Sequence, residues 1–120
     1  LPHAHITLSE LQRLVKETLH ERFALPVWVS AEISEVKVNY SGHCYLELVE
    51  KGGDNGVPLA IARRDLAHAY SRIAGYFEAE TGQRLAAGIK ILAKVAVNYH
   101  ELYGFSLQIT DIDPAYTLGD

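Results

Sequence analysis

The feature that most constrains this chain is a change of phase inside one long alternating run. Val27, Val29, Ala31 and Ile33 carry the apolar phase on odd positions, whereas Val36, Val38 and Tyr40 carry it on even ones. Successive strand residues point to opposite faces, so a strand that keeps a single apolar face must bulge or coil sharply near Ser34-Glu35. A first strand bent that strongly points to a small closed barrel.

The rest of the chain supplies the remaining strands. Ser41-Gly42 turns the first strand into a second, where Cys44, Leu46 and Leu48 alternate with Tyr45, Glu47 and Val49. Asn55-Gly56 is a strong hairpin signal, and a third strand follows from Val57 or Pro58 to about Arg64. From Asp65 the period becomes helical, with Leu66, Ala69, Tyr70, Ile73, Tyr76 and Phe77 on one face and Gly82 as a stop. Ile89, Ile91, Ala93, Val95 and Val97 mark a fourth strand, turned through Glu101 to Gly104. Phe105, Leu107 and Ile109 line a fifth that ends before Pro114.

In front of the barrel, Thr7-Leu8-Ser9-Glu10 fits a capping box, and Leu8, Leu11, Leu14, Val15 and Leu19 recur at helical spacing to about Arg22. The order strand-strand-strand-helix-strand-strand is that of a five-stranded antiparallel oligonucleotide-binding (OB) barrel, mainly β with helices, preceded by an N-terminal amphipathic helix. The expected division is an N-terminal extension and helix over 1–25, the barrel over 26–114, and the start of a linker over 115–120. The amphipathic helix needs a partner surface, which is either this barrel or another domain.

With 48% hydrophobic residues, the 120-residue chain has apolar mass for one core and is too short for a second large domain. No apolar run approaches the roughly 20 residues that cross a bilayer, and the N-terminus lacks the pattern of a signal peptide. The lone Cys44 forms no internal disulfide, and a cytoplasmic location is expected. A formal charge of −4 argues against a surface that binds polyanions all over. Any basic contact must be local, built from Lys37, Arg63, Arg64, Lys90 or Lys94, in or beside predicted strands.

An OB groove holds unpaired bases by stacking on aromatic rings and holds phosphates by Lys or Arg. The nucleic-acid-binding candidates are therefore Lys37, Tyr40, His43 and Tyr45 around the first loop, Arg63 and Arg64 at the end of the third strand, and Tyr99 and Tyr103 around the last loop. Phe105 stands just beyond the last of these. Neighbouring strand residues face opposite ways, so at most one of Arg63 and Arg64 enters the groove. Taken singly, each aromatic residue fits a structural role, filling or rimming the barrel, better than a ligand contact. Trp28, out of phase with Val27 and Val29, fits packing against a helix or another domain better than a groove platform. Metal and hydrolytic chemistry find little support: His43 and Cys44 project oppositely, no second pair completes a tetrahedral site, and Asp111 with Asp113 reads as a strand exit. No cofactor is expected.

Several separated segments share a pattern with one family: Ile6-Thr7-Leu8-Ser9-Glu10-Leu11, Val27-Trp28-Val29 with Ala31-Glu32-Ile33-Ser34, Ser41-Gly42-His43 with Tyr45, and Ile109-Thr110-Asp111-Ile112-Asp113-Pro114. On these, the chain resembles the N-terminal OB-fold domain of the bacterial exodeoxyribonuclease VII large subunit. It departs from the pattern at Ala67, where many members have an aromatic residue, and in longer stretches over 52–56 and 65–81.

The resemblance implies a noncatalytic module for single-stranded DNA. The parent enzyme would be an exonuclease that hydrolyses single-stranded DNA in DNA catabolism, with its catalytic domain and the region that binds the small subunit downstream. Two other readings stay open: an interdomain or oligomerisation module, including a homodimer, and an RNA-binding OB domain of anticodon-binding type.

Overall fold

The computed structural model describes residues 3–38, 40, 44–50, 58–64, 67–102 and 104–119, with side chains described at all of these except 58–64 and 67–69. The elements run α1 (Leu8–Arg22), β1 (Val27–Val38), β2 (Cys44–Val49), β3 (Pro58–Arg64), α2 (Ala67–Thr81), β4 (Lys90–His100), β5 (Gly104–Ile112) and α3 (Pro114–Gly119). The Ser41-Gly42 turn, the Asn55-Gly56 hairpin, His43, Tyr103 and the Asp65-Leu66 helix entry lie outside the described residues.

The expected phase change is a β-bulge. Ile33 pairs with Leu48 of β2 and Glu35 with Glu47, so Ser34 is the extra residue. Before the bulge β1 pairs with β4, from Val27↔Val95 to Glu32↔Lys90; beyond it β1 pairs with β2 alone. One bent strand thus belongs to both halves of the sheet. Antiparallel pairings link β3, β2, β1, β4 and β5 in that sequence, and a parallel pair, Ala62↔Leu107, joins β3 to β5. The strand order round the sheet is β1-β2-β3-β5-β4.

The odd-then-even apolar pattern of β1 meets the alternation of β2, β4 and β5 in one core. Ile33, Cys44, Leu46, Leu48, Ile91, Ala93, Val95, Leu107, Ile109 and Ile112 are buried together. Ile73 and Phe77 of α2 join them, a helical i, i+4 pair presented to this core. Tyr76 departs from the expected helical face: it is 53% exposed, because the stripe that packs is the narrower one through Tyr70, Ile73, Ala74 and Phe77. Gly82 stops α2 at φ +73°, its N–H donating to the Glu78 carbonyl at 2.8 Å. Residues Pro114–Gly119 form α3, which lies against α2 and β4, where the Thr117 hydroxyl donates to the Lys90 carbonyl at 2.6 Å.

Helix α1 begins at the Thr7 cap, whose Oγ1 accepts from the Glu10 N–H at 3.2 Å and donates to the Glu10 carboxylate at 3.2 Å. It touches β4 and is tied to the β4–β5 hairpin by polar groups: Lys16 Nζ lies 3.2 Å from Glu101 Oε1, and Gln12 Nε2 donates to the Glu101 carbonyl at 3.4 Å. Lys16 and the backbone N–H of Glu101 hold that carboxyl below the usual carboxylate range, the backbone bond contributing most. No residue of α1 is buried, and Leu8, Leu11, Leu14 and Val15 stay exposed.

Candidate nucleic-acid interface

The bulge at Ser34 decides what the outer face of the β1–β2–β3 sheet carries. Past it, Val36 and Val38 pair with Leu46 and Cys44, while Glu35 and Lys37 pair with Glu47 and Tyr45. Tyr45 is also the partner of Arg63, and Glu47 of Ile61. A row Lys37–Tyr45–Arg63 therefore crosses three strands, and a second row, Glu35–Glu47–Ile61, runs beside it. Glu35, Lys37, Tyr45 and Glu47 line one shallow depression on this face.

Local charge in the depression is mixed. Lys37 Nζ lies 3.7 Å from Glu35 Oε1, an exposed pair that contributes little to stability. Glu47 is more firmly placed: the Ser34 hydroxyl shares its one proton between the Glu47 carbonyl at 3.2 Å and Glu47 Oε1 at 3.1 Å. The alternation that buries Cys44, Leu46 and Leu48 turns Tyr45 and Glu47 outward, both half-buried.

The predicted residues divide into two groups. Lys37, Tyr40 and Tyr45 stand near the β1–β2 connection, with Tyr40 fully exposed. Arg63 shares the Tyr45 row, whereas Arg64 pairs with the buried Cys44, so the two arginines take opposite rows as their adjacency requires. Tyr99 lies elsewhere. It pairs with Phe105 at the β4–β5 hairpin, and the parallel pair Ala62↔Leu107 aligns the start of β5 with the start of β3, away from Arg64. Tyr99 is half-buried and Phe105 is 52% exposed, although Phe105 continues the phase of buried Leu107 and Ile109, because it overruns the end of the core. His43 and Tyr103 lie outside the described residues. Trp28 is 47% exposed opposite Lys94.

Sequence reasoning did not single out Glu35, Glu47 or Ser34. The alternation of Tyr45 and Glu47 against Cys44, Leu46 and Leu48 was a signal for Glu47. That Glu35 stands opposite it follows only from the register set by the bulge. Cys44, 1% exposed, packs beside Tyr70; partial burial first, then the charge of this thiol and a hydrogen bond with it, push the Tyr70 hydroxyl above its ordinary range. Among the described residues no three His, Cys, Asp or Glu side chains gather as metal ligands, and no helix is long and apolar enough to cross a membrane.

The chain is 36% identical over 124 residues to the exodeoxyribonuclease 7 large subunit of Deinococcus radiodurans, covering 99% of this chain and 29% of that protein. It thus spans about three tenths of the curated relative it matches, and the resemblance carried by the separated motifs is borne out. Residues 6–113 match the family described as OB-fold nucleic acid binding domain. With that match running from the cap of α1 to the end of β5, the chain belongs to the family of OB-fold nucleic acid binding domains.

Proposed function

We propose that this chain captures single-stranded DNA on the outer face of β1–β2–β3 and hands it to a catalytic domain outside residues 1–120. The observation that carries the reading is the row Lys37–Tyr45–Arg63, an aromatic ring between two basic positions on neighbouring strands. A base stacks on the ring while flanking cations meet phosphates on either side. Tyr40 extends the path near the first loop, with His43 between β1 and β2 in sequence. Tyr99 and Tyr103 at the second hairpin receive the strand at the other end.

In this reading residues 26–114 act as a closed five-stranded barrel whose seam is the Ala62↔Leu107 pair, residues 1–25 are an appended helix, and the chain leads from residue 115 toward the rest of the polypeptide. The match to only 29% of the Deinococcus protein leaves room on such a polypeptide for exonuclease chemistry and for a small subunit, in the cytoplasm. Fluorescence anisotropy with a labelled 12-nucleotide single strand tests it. Micromolar binding that weakens steeply with salt is expected; no binding at low ionic strength refutes it. Competition with matched RNA separates DNA capture from RNA recognition, since only RNA offers a 2′-hydroxyl.

A second reading, an assembly module, is favoured by one observation: the apolar stripe of α1 is exposed from Leu8 to Val15. Light scattering after size exclusion separates the two. A dimer that resists salt supports assembly through apolar surface, and a monomer refutes self-association.

A further inference from the structure

The depression beside Tyr45 carries two carboxylates against one lysine, where a phosphate-binding groove calls for cations. Glu35 and Glu47 stand directly opposite each other across β1 and β2, a like-charge pairing that costs sheet stability. The core does not need Glu47, since Cys44, Leu46 and Leu48 supply the buried side of β2. Yet the carboxylate is steadied: the residue that the bulge inserts, Ser34, shares its hydroxyl proton between Glu47 Oε1 at 3.1 Å and the Glu47 carbonyl at 3.2 Å. A carboxylate has about four acceptor sites, so the serine fixes the group while leaving most of its capacity for a further donor. A fixed acceptor that opposes local stability is a feature of ligand recognition rather than of folding.

From this geometry we infer that Glu47 reads the edge of the base stacked on Tyr45 and favours cytosine over thymine. The inference rests on the strand-capture reading above. Tyr45 and Glu47 are two residues apart on one face of β2, separated by two rises of about 3.3 Å, within reach of a stacked base whose edge extends along the strand. Lys37 and Glu35 offset each other as a pair, so Glu47 carries the net negative charge of the depression; phosphates keep away from it and the base edge turns toward it. At ring position 4, cytosine offers its N4 amino donor where thymine places the O4 acceptor, lone pair against lone pair; thymine's own donor, N3–H, lies one ring position away, so the discrimination is that of the group at position 4. The two pyrimidines have rings of the same size, so the difference between them isolates the edge from the stack.

Anisotropy titrations of this 120-residue chain with 12-nucleotide dC and dT strands at pH 7.5 test the inference. The expected result is dC binding tighter by about tenfold. That ratio holds as salt rises, because both strands carry the same phosphates. Glu47→Gln, which keeps the shape and adds a donor, brings the ratio to about one. Ser34→Ala, which removes no charge, lowers it partway, and it serves as the second variant if E47Q fails to fold. Comparing ratios between wild type and variant cancels differences in self-stacking of the two strands. Equal binding of dC and dT by the wild type, or an unchanged ratio in E47Q, overturns base reading and leaves strand capture standing. Failure to bind either strand at low salt overturns both.

Discussion

Replacing Tyr45 with alanine takes away the ring at the centre of the Lys37–Tyr45–Arg63 row and nothing charged. A base stacked on an aromatic side chain contributes about 1–3 kcal/mol. Tyr45 is half-buried, with Lys37 and Arg63 at the neighbouring register positions, so only part of the ring is open to a ligand. The lower half of the range applies, about 1–2 kcal/mol, a loss of ~5- to ~30-fold in affinity for a single strand. The number of neutralised phosphates does not change, so the slope of log K against log salt stays the same. Lys37→Gln gives the complementary signature, a slope shallower by about 0.7. Anisotropy titrations at three or four salt concentrations measure both quantities. Cys44, Leu46 and Leu48 keep the core side of β2 packed, so thermal unfolding followed by circular dichroism should move little. Wild-type affinity in Y45A, measured with a protein that still unfolds cooperatively, refutes the placement of a base on this ring.

Three further expectations concern the scaffold. Phe77 is 0% exposed at the centre of the core, so Phe77→Ala lowers unfolding free energy by about 3–5 kcal/mol in urea titrations; a loss below 1 kcal/mol would contradict α2 packing into the core. Gly82→Ala meets no atom within 4 Å of the added methyl, so its cost is that of φ +73° alone, about 1 kcal/mol by the same measurement. For Tyr70, the folded-state pKa lies above the ordinary value, so its contribution to stability is complete below about pH 10 and is lost as pH rises through the folded pKa. Chemical denaturation between pH 8 and 11 should show wild-type stability falling at the alkaline end and a smaller fall in Tyr70→Phe; parallel curves would contradict the buried hydroxyl.

What could be read along the chain is what local chemistry fixes. The Thr7–Glu10 cap, the helical period to Arg22, the alternation of β2, β4 and β5, and the stop at Gly82 depend on residues within a few positions of one another. The phase change around Ser34 also shows in the sequence, because a strand serving a single core cannot switch parity without an extra residue. The separated motifs between Ile6 and Pro114 likewise carried the family.

Relations between strands were decided only by the tertiary structure. Arg63 rather than Arg64 joins Tyr45, Glu35 confronts Glu47, and Tyr99 stands apart from Lys37, because register across a sheet is set by bulges and pairings distant in sequence. Burial follows the same logic. Tyr76 and Phe105 carry the apolar phase of their elements and still meet solvent, and the α1 stripe stays open, because periodicity gives a residue a face while only a packed partner covers it.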